Sequence, residues 1–278
     1  LNASEDSFFL YKNSVLHFIK RGTGAKTLLV FHGFGQDGSV FGDALYKPNN
    51  DYTIYSFSLF FHGRSTWGYG EQPLEKRFWI NCMESFLTDH HIDRFAVAGF
   101  SLGARFALSL VEGFATRIDQ VYLLAPDGIK TSLWYSLATY PILLRKFFKS
   151  MVVHPNRFYS LTRTMEKLKL MDRGLIRFAE SQMNTEEKRS RVYYSWVVFR
   201  KLSTAPKATI RLINEHKIKT IFILGQHDKV ISYKGLRNFI NRIHQKEIVR
   251  VKSGHSNLLP TLINHLANPN SIRNGNQG

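Results

Sequence analysis

Apolar positions along this chain fall in short runs separated by longer stretches of helical period. Phe8–Tyr11 and Val15–Ile19 flank Lys12–Ser14 and predict a hairpin. Six further runs predict strands: Thr27–Phe31, Thr53–Leu59, Phe95–Gly99, Val121–Ala125, Thr220–Leu224 and Ile248–Val251. Leu28–Phe31 and Ile221–Leu224 are apolar at every position. That suits parallel strands covered by helices on both faces rather than strands with a wet side. Glu75–Thr88, Leu102–Gly113 and Tyr233–His244 carry helical spacing between the runs. The alternation predicts an α/β fold with a mostly parallel, eight-stranded sheet flanked by helices.

The alternation stops after Pro126 and resumes at Thr220. Residues 129–206 read as several helices, broken near Pro141 and Pro155, with no clear strand. The expected organisation is a core of residues 1–128 and 207–278, interrupted after the sixth strand by a helical insertion of residues 129–206. The polar tail, 267–278, is expected to fray.

Composition changes this picture little. The 278 residues are 44% hydrophobic, enough for a large buried core. The single cysteine, Cys82, rules out an intrachain disulfide, and its place on the apolar face of Phe78–Leu87 marks a buried structural thiol. No run approaches the roughly 18 apolar residues of a membrane span. The first twenty residues lack a basic start followed by an apolar stretch, so no secretory signal is expected and a reducing, cytoplasmic setting is.

Charge matters more. The formal net charge is +17, and residues 130–215 hold 17 Lys/Arg against 6 Asp/Glu. The simplest reading is a solvated helical surface. Such a field also favours anionic partners, and Lys146, Lys149, Arg163, Lys167 and Lys169 are the first candidates for contact with anionic lipid. Neither zinc-finger spacing nor an RNP-type aromatic signature accompanies the charge, so nucleic acid is not expected.

The chemistry sits at the ends of the predicted strands. Gly99-Phe100-Ser101-Leu102-Gly103 follows one strand and opens a helix. A serine in so sharp a turn is lifted above the sheet edge, and its neighbours must be glycine or small. A hydroxyl is a weak nucleophile until a base takes its proton. His255, in Ser253-Gly254-His255, follows the last strand and is the candidate base, with Gly254 read as permitting a tight loop. Two carboxylates follow strands: Asp228 in Gly225-Gln226-His227-Asp228, and Asp127 in Ala125-Pro126-Asp127-Gly128. Either could orient the imidazole. Asp228, on the strand before the one that leads to His255, is preferred, and Asp127-Gly128 is equally a turn signature. Asp93 precedes its strand and lies at the wrong end. Donors for a developing oxyanion are the main-chain N–H groups of Leu102 and of Phe34, in His32-Gly33-Phe34-Gly35. Losing one such donor typically costs ~3 kcal/mol of transition-state stabilisation.

These pieces, with His62-Gly63-Arg64-Ser65, occur in one order over most of the chain. The sequence resembles the α/β-hydrolase superfamily, in the branch with a helical cap over a Ser–Asp–His site. Relatives often carry Asp and Gly ahead of the His-Gly-x-Ser loop, where this chain has Ser58 and Phe61. That departure bears on loop geometry and pocket shape rather than on fold. A serine nucleophile also sets the chain apart from the haloalkane dehalogenases and epoxide hydrolases of this fold, which use aspartate.

The resemblance implies hydrolysis of a small-molecule carboxylic ester or thioester through an acyl-enzyme, with Ser101, His255 and Asp228 as the catalytic residues. It requires neither metal nor organic cofactor. Aromatic residues of the insertion, among them Trp134, Phe147, Phe148, Tyr193 and Trp196, suggest an apolar acyl group, although most such side chains simply pack a core. Carbon–carbon bond hydrolysis uses the same residues. A non-catalytic ligand-binding protein on the same fold is the alternative from a different class.

Overall fold

A computed structural model describes residues 5–41, 51–130, 133–170 and 173–267. The two runs before Leu28 form the hairpin of β1 (Glu5–Tyr11) and β2 (Ser14–Arg21), with Tyr11 opposite Ser14. The other six runs become β3 (Lys26–Phe31), β4 (Tyr52–Phe57), β5 (Phe95–Phe100), β6 (Ile118–Leu124), β7 (Lys219–Gly225) and β8 (Lys246–Val251). They join one eight-stranded sheet in the order β1-β2-β4-β3-β5-β6-β7-β8. β1–β2 and β2–β4 pair antiparallel, and every other neighbour is parallel.

Among the described residues ten α-helices accompany the strands: α1 (Lys76–Asp89), α2 (Gly103–Phe114), α3 (Leu133–Thr139), α4 (Ile142–Val153), α5 (Pro155–Lys167), α6 (Arg173–Ser181), α7 (Glu186–Val198), α8 (Pro206–Glu215), α9 (Tyr233–Asn241) and α10 (Leu259–Ala267). Two of them, α8 and α10, are not marked by the helical stretches singled out above. Prolines punctuate the chain as expected: Pro141 precedes α4, and Pro155 and Pro206 occupy first-turn positions where a missing N–H costs nothing. The tail from 268 lies outside the described residues, as does the Trp134 side chain.

The chain divides into two compact units. One comprises Leu1–Gly68, Lys76–Lys130 and Leu202–Gly278, and the other Tyr69–Glu75 and Thr131–Lys201. In the first unit the sheet is buried on both faces. Leu28, Val30, Ala98, Tyr122, Leu124, Ile221 and Ile223 face a cluster completed by Leu258, Leu262 and Leu266. On the other face Phe31 stacks on Phe57 at 5.2 Å and meets Trp79 of α1 edge-on at 5.6 Å. The Trp79 indole N–H donates to the Phe106 carbonyl at 3.2 Å, so this large ring is buried with its polar atom satisfied.

The second unit holds α3–α7 joined by short connections, with no strand among its described residues. Thr185 caps α7 by accepting from the Lys188 N–H at 3.2 Å, with Glu186 and Glu187 in the first turn where the helix dipole favours them. The segment Tyr69–Glu75 is bound to it by polar contacts. Glu71 accepts from Lys149 and from the Tyr193 hydroxyl, and the Leu74 N–H donates to the Val198 carbonyl at 2.8 Å. Phe148 and Tyr193 are buried in this unit, edge-on at 5.3 Å, whereas Phe147 is 46% exposed.

One buried group links the fold to pH. His265 of α10 has no exposed surface, packs edge-on to Tyr122 at 5.7 Å, and has no hydrogen-bond partner for either ring nitrogen among the described residues. Burial lowers its pKa below the ordinary 6.5, opposed by Glu247 and reinforced by Lys219. The unfolded chain therefore takes up this proton first, and stability present at neutral pH is lost as pH falls through about 6.5 toward the lower folded value. His17, also lowered mainly by burial, acts in the same direction. The urea midpoint is expected to fall between about pH 7 and about pH 5, and His265→Leu to shrink that fall. An undiminished fall in the variant would contradict the assignment.

Candidate active site

The turn between β5 and α2 is a steric consequence of its glycines. Ser101 has φ +49, a left-handed conformation that an L-residue adopts at a cost of about 1–3 kcal/mol. The surrounding main chain holds it there. The Ser101 N–H donates to the Leu124 carbonyl at 2.9 Å, and the Ser101 carbonyl accepts from Ala104 at 3.0 Å and Asp127 at 3.1 Å. A Cβ on Gly99 would lie 2.6 Å from Ala104 Cα, and one on Gly103 only 2.2 Å from the Phe31 carbonyl oxygen. The two flanking glycines of the motif are therefore places where main chain touches main chain.

Ser101, His255 and Asp228 come together although they lie far apart in sequence. Ser101 Oγ is 2.9 Å from His255 Nε2, and His255 Nδ1 is 2.7 Å from Asp228 Oδ2. The Asp228 side chain is fully buried, and its other oxygen accepts from the Val230 and Ile231 N–H groups, each at 2.8 Å. An ionised carboxylate only accepts, so the imidazole hydrogen sits on Nδ1 and Nε2 is left to accept from the serine hydroxyl. The Phe100 ring lies beside the imidazole, 5.4 Å between centroids.

Asp127, the competing carboxylate, is occupied elsewhere. It accepts from the Arg105 guanidinium at 2.8 Å through Oδ2 and from the Gly128 N–H at 2.7 Å through Oδ1. Asp93 is exposed and precedes β5, at the opposite strand end from Ser101.

Gly254 does not act as expected. A Cβ there would meet nothing within 4 Å, so no crowding demands a glycine before His255. The crowded position is Gly225, where a Cβ would lie 2.7 Å from both the Ser253 and Gly254 carbonyl oxygens. The loop bearing His255 passes directly over the end of β7, joined to it by Gln226 N–H to Val251 at 2.8 Å and His227 N–H to Ser253 at 3.0 Å.

The loop after β3 is a tight turn closed by the Gln36 N–H to the Gly33 carbonyl at 3.3 Å, with Gly35 at φ +77 where a type II turn needs glycine. Among the described residues the main-chain N–H groups of Phe34 and Leu102 have no intramolecular acceptor. Two braces of this loop escaped the sequence reading. Gln36 Oε1 accepts from the Gly33 N–H at 3.0 Å, and His32, fully buried, accepts the Leu59 N–H on Nε2 at 2.9 Å while Nδ1 donates to the Gly33 carbonyl at 2.7 Å. His32 was visible as a motif residue, but nothing in the sequence singles out Gln36.

At the two positions that depart from the family pattern, Phe61 holds φ +67, the conformation a glycine would take freely, and Ser58 Oγ accepts the Gly38 N–H at 3.1 Å and contacts His17 Nδ1 at 2.9 Å. Cys82 is buried in α1, and burial pushes its thiol up to about 12, which keeps it out of thiolate chemistry.

With this geometry, residues 26–260 match the alpha/beta hydrolase fold family, and the chain belongs to it. No curated protein matches the chain in sequence. Among solved structures it is similar to the thioesterase domain from the curacin biosynthetic pathway, with TM-score 0.62 and 13% identity over 96% of this chain and 100% of that one. It is also similar to a thermophilic esterase from Thermogutta terrifontis, with TM-score 0.65 and 14% identity over 95% and 96% of the two chains. A third likeness is to the 2-hydroxy-6-oxo-6-phenylhexa-2,4-dienoate hydrolase from Rhodococcus sp. strain RHA1, with TM-score 0.64 and 14% identity over 96% and 100%. At these identities the likeness concerns the fold.

The glycine contacts make a paired prediction. Gly103→Ala and Gly225→Ala should each destabilise by about 1–3 kcal/mol, because backbone atoms on the far side cannot move aside cheaply. Gly254→Ala should stay within about 0.5 kcal/mol of the parent. Urea unfolding of the three variants checks both halves.

Proposed function

We propose that the chain is a serine hydrolase that cleaves a carboxylic ester or thioester of a small to medium apolar acyl group through an acyl-enzyme. The observation that carries this reading is the unbroken hydrogen-bonded chain from Ser101 Oγ through both nitrogens of His255 to a fully buried Asp228. In the first half-reaction Ser101 Oγ attacks the carbonyl carbon while His255 Nε2 takes its proton. Asp228 holds the imidazole tautomer and stabilises the imidazolium that forms. The Phe34 and Leu102 N–H groups, which have no acceptor among the described residues, receive the oxyanion. As the intermediate collapses, the carbon–oxygen or carbon–sulfur bond breaks and His255 returns the proton to the leaving group. Water then repeats the sequence on the acyl-serine, releasing the acid and restoring Ser101.

Fold neighbours named as a thioesterase domain and an esterase agree with acyl transfer. The neighbour named as a hydrolase of 2-hydroxy-6-oxo-6-phenylhexa-2,4-dienoate keeps carbon–carbon cleavage as the second reading.

A fluorophosphonate probe tests the proposal. Mass spectrometry should place the adduct on Ser101, with none in Ser101→Ala and weak labelling in His255→Ala. On short-chain nitrophenyl esters and a thioester, Asp228→Asn should lower kcat/KM on the order of 10³–10⁴-fold. Turnover of the dienoate but not of esters would favour the second reading. A folded chain that neither labels nor turns over any of these would instead be a ligand-binding protein on this fold.

A further inference from the structure

The helical unit carries an apolar surface that its own packing does not use. α4 is apolar well beyond the stripe it buries. Phe148 and Met151 are buried. Around them Ile142 is 62% exposed, Leu143 79%, Phe147 46% and Val153 67%. Leu143 and Phe147 are four residues apart and so stack one turn above the other. Monomers rarely leave a contiguous patch of large apolar side chains in water without a partner for it.

The next helix supplies charge. The positions that α5 turns outward include Arg157, Arg163 and Lys167, while Thr162 and Met165 are buried. Over residues 142–170 the chain has seven Lys/Arg and one acidic residue, Glu166. Lys149 is committed to Glu71, but Lys146, in the midst of the α4 apolar face, and the three α5 cations stand at exposed positions. A shallow, open groove lies where the two helices meet, lined by Phe147 and Leu161 with Arg157 alongside.

We propose that the outward face of α4 and α5 docks on an anionic phospholipid surface, with Ile142, Leu143 and Phe147 entering the headgroup–acyl boundary and Lys146, Arg157, Arg163 and Lys167 meeting lipid phosphates. Apolar anchors interleaved with cations on neighbouring helices are what an interface of apolar tails beneath negative headgroups recognises. A second copy of the chain fits less well, because a symmetric contact would set this basic surface against itself. The docking needs no chemistry at Ser101, so it stands or falls independently of the proposed reaction.

The intact chain would be sedimented with phosphatidylcholine vesicles, with and without phosphatidylserine, at about 0.1 M and about 0.5 M salt. Binding is expected only to the anionic vesicles and should weaken steeply at the higher salt. Leu143→Asp with Phe147→Asp, and separately Arg157→Glu with Lys167→Glu, should each weaken it about tenfold or more while the circular dichroism melting curve stays unchanged. Since all four side chains are exposed, at least one pair should fold normally, and the salt series on the parent chain needs no variant. Absent or salt-insensitive binding, or unaltered binding by folded variants, would overturn the proposal. So would a stable dimer that Leu143→Asp dissociates.

Discussion

The main chain of Gly103 lies against the carbonyl oxygens of Phe31 and His32, so close that a methyl group would sit 2.2 and 2.6 Å from them. Much of the first unit depends on this approach. It seats the start of α2 on the end of β3, and the matching contact at Gly99 folds the turn back on Ala104. Between them Ser101 is held at a φ that its side chain disfavours, and the cost is offset by hydrogen bonds to the end of β6, to Asp127 just beyond it and to Ala104 of α2. Because β3 and β5 are parallel neighbours at the centre of the sheet, their loops open at the same edge. This is where an open α/β sheet makes a crevice.

The same edge is laced strand by strand. Ser101 bonds to the end of β6, Ala125 to β7 through the Ile223 carbonyl at 3.0 Å, and the residues after β7 to those after β8. Each link fixes the start of the next loop, and the loops carry Ser101, Asp127, Asp228 and His255 in that order. Asp228 gains from this arrangement. Its buried carboxylate receives two main-chain N–H groups and one imidazole N–H, so a charge that would be costly to bury alone is fully hydrogen-bonded.

The helical unit follows a different physical rule. Its short helices cannot each bury a wide apolar stripe, and α4 has more apolar surface than its neighbours cover. Its polar contacts are specific nonetheless. Burial pushes the Glu71 carboxyl up, but its bonds from Lys149 and Tyr193 outweigh this and hold it below its ordinary range, whereas the Tyr193 hydroxyl is raised first by burial and further by its bond to Glu71. Arg189, also buried, donates to the Val152 carbonyl at 2.7 Å and the Met183 carbonyl at 3.2 Å.

The eight strands, the mostly parallel sheet and the position of the serine turn were legible in the sequence. Strands buried on both faces must be continuously apolar, and a turn in which backbone touches backbone must be spelled with glycine. These are local requirements, so a local pattern reports them. Helices α8 and α10 left fainter marks. The bonding of Tyr69–Glu75 to helices more than seventy residues away left none, because it rests on Glu71, an ordinary surface residue by sequence. Strand order favoured Asp228 over Asp127, but no local pattern said where either side chain is bound. Both follow a strand, and only the folded chain gives one to His255 and the other to Arg105. Gly225 rather than Gly254 as the crowded glycine, and Gln36 as the brace of the Gly33 loop, were decided in the same way. Sequence alone determined which residue types stand at strand ends, since that follows from period and local sterics. Tertiary structure decided which of them meet, since distances between loops depend on the register and order of the strands that carry them.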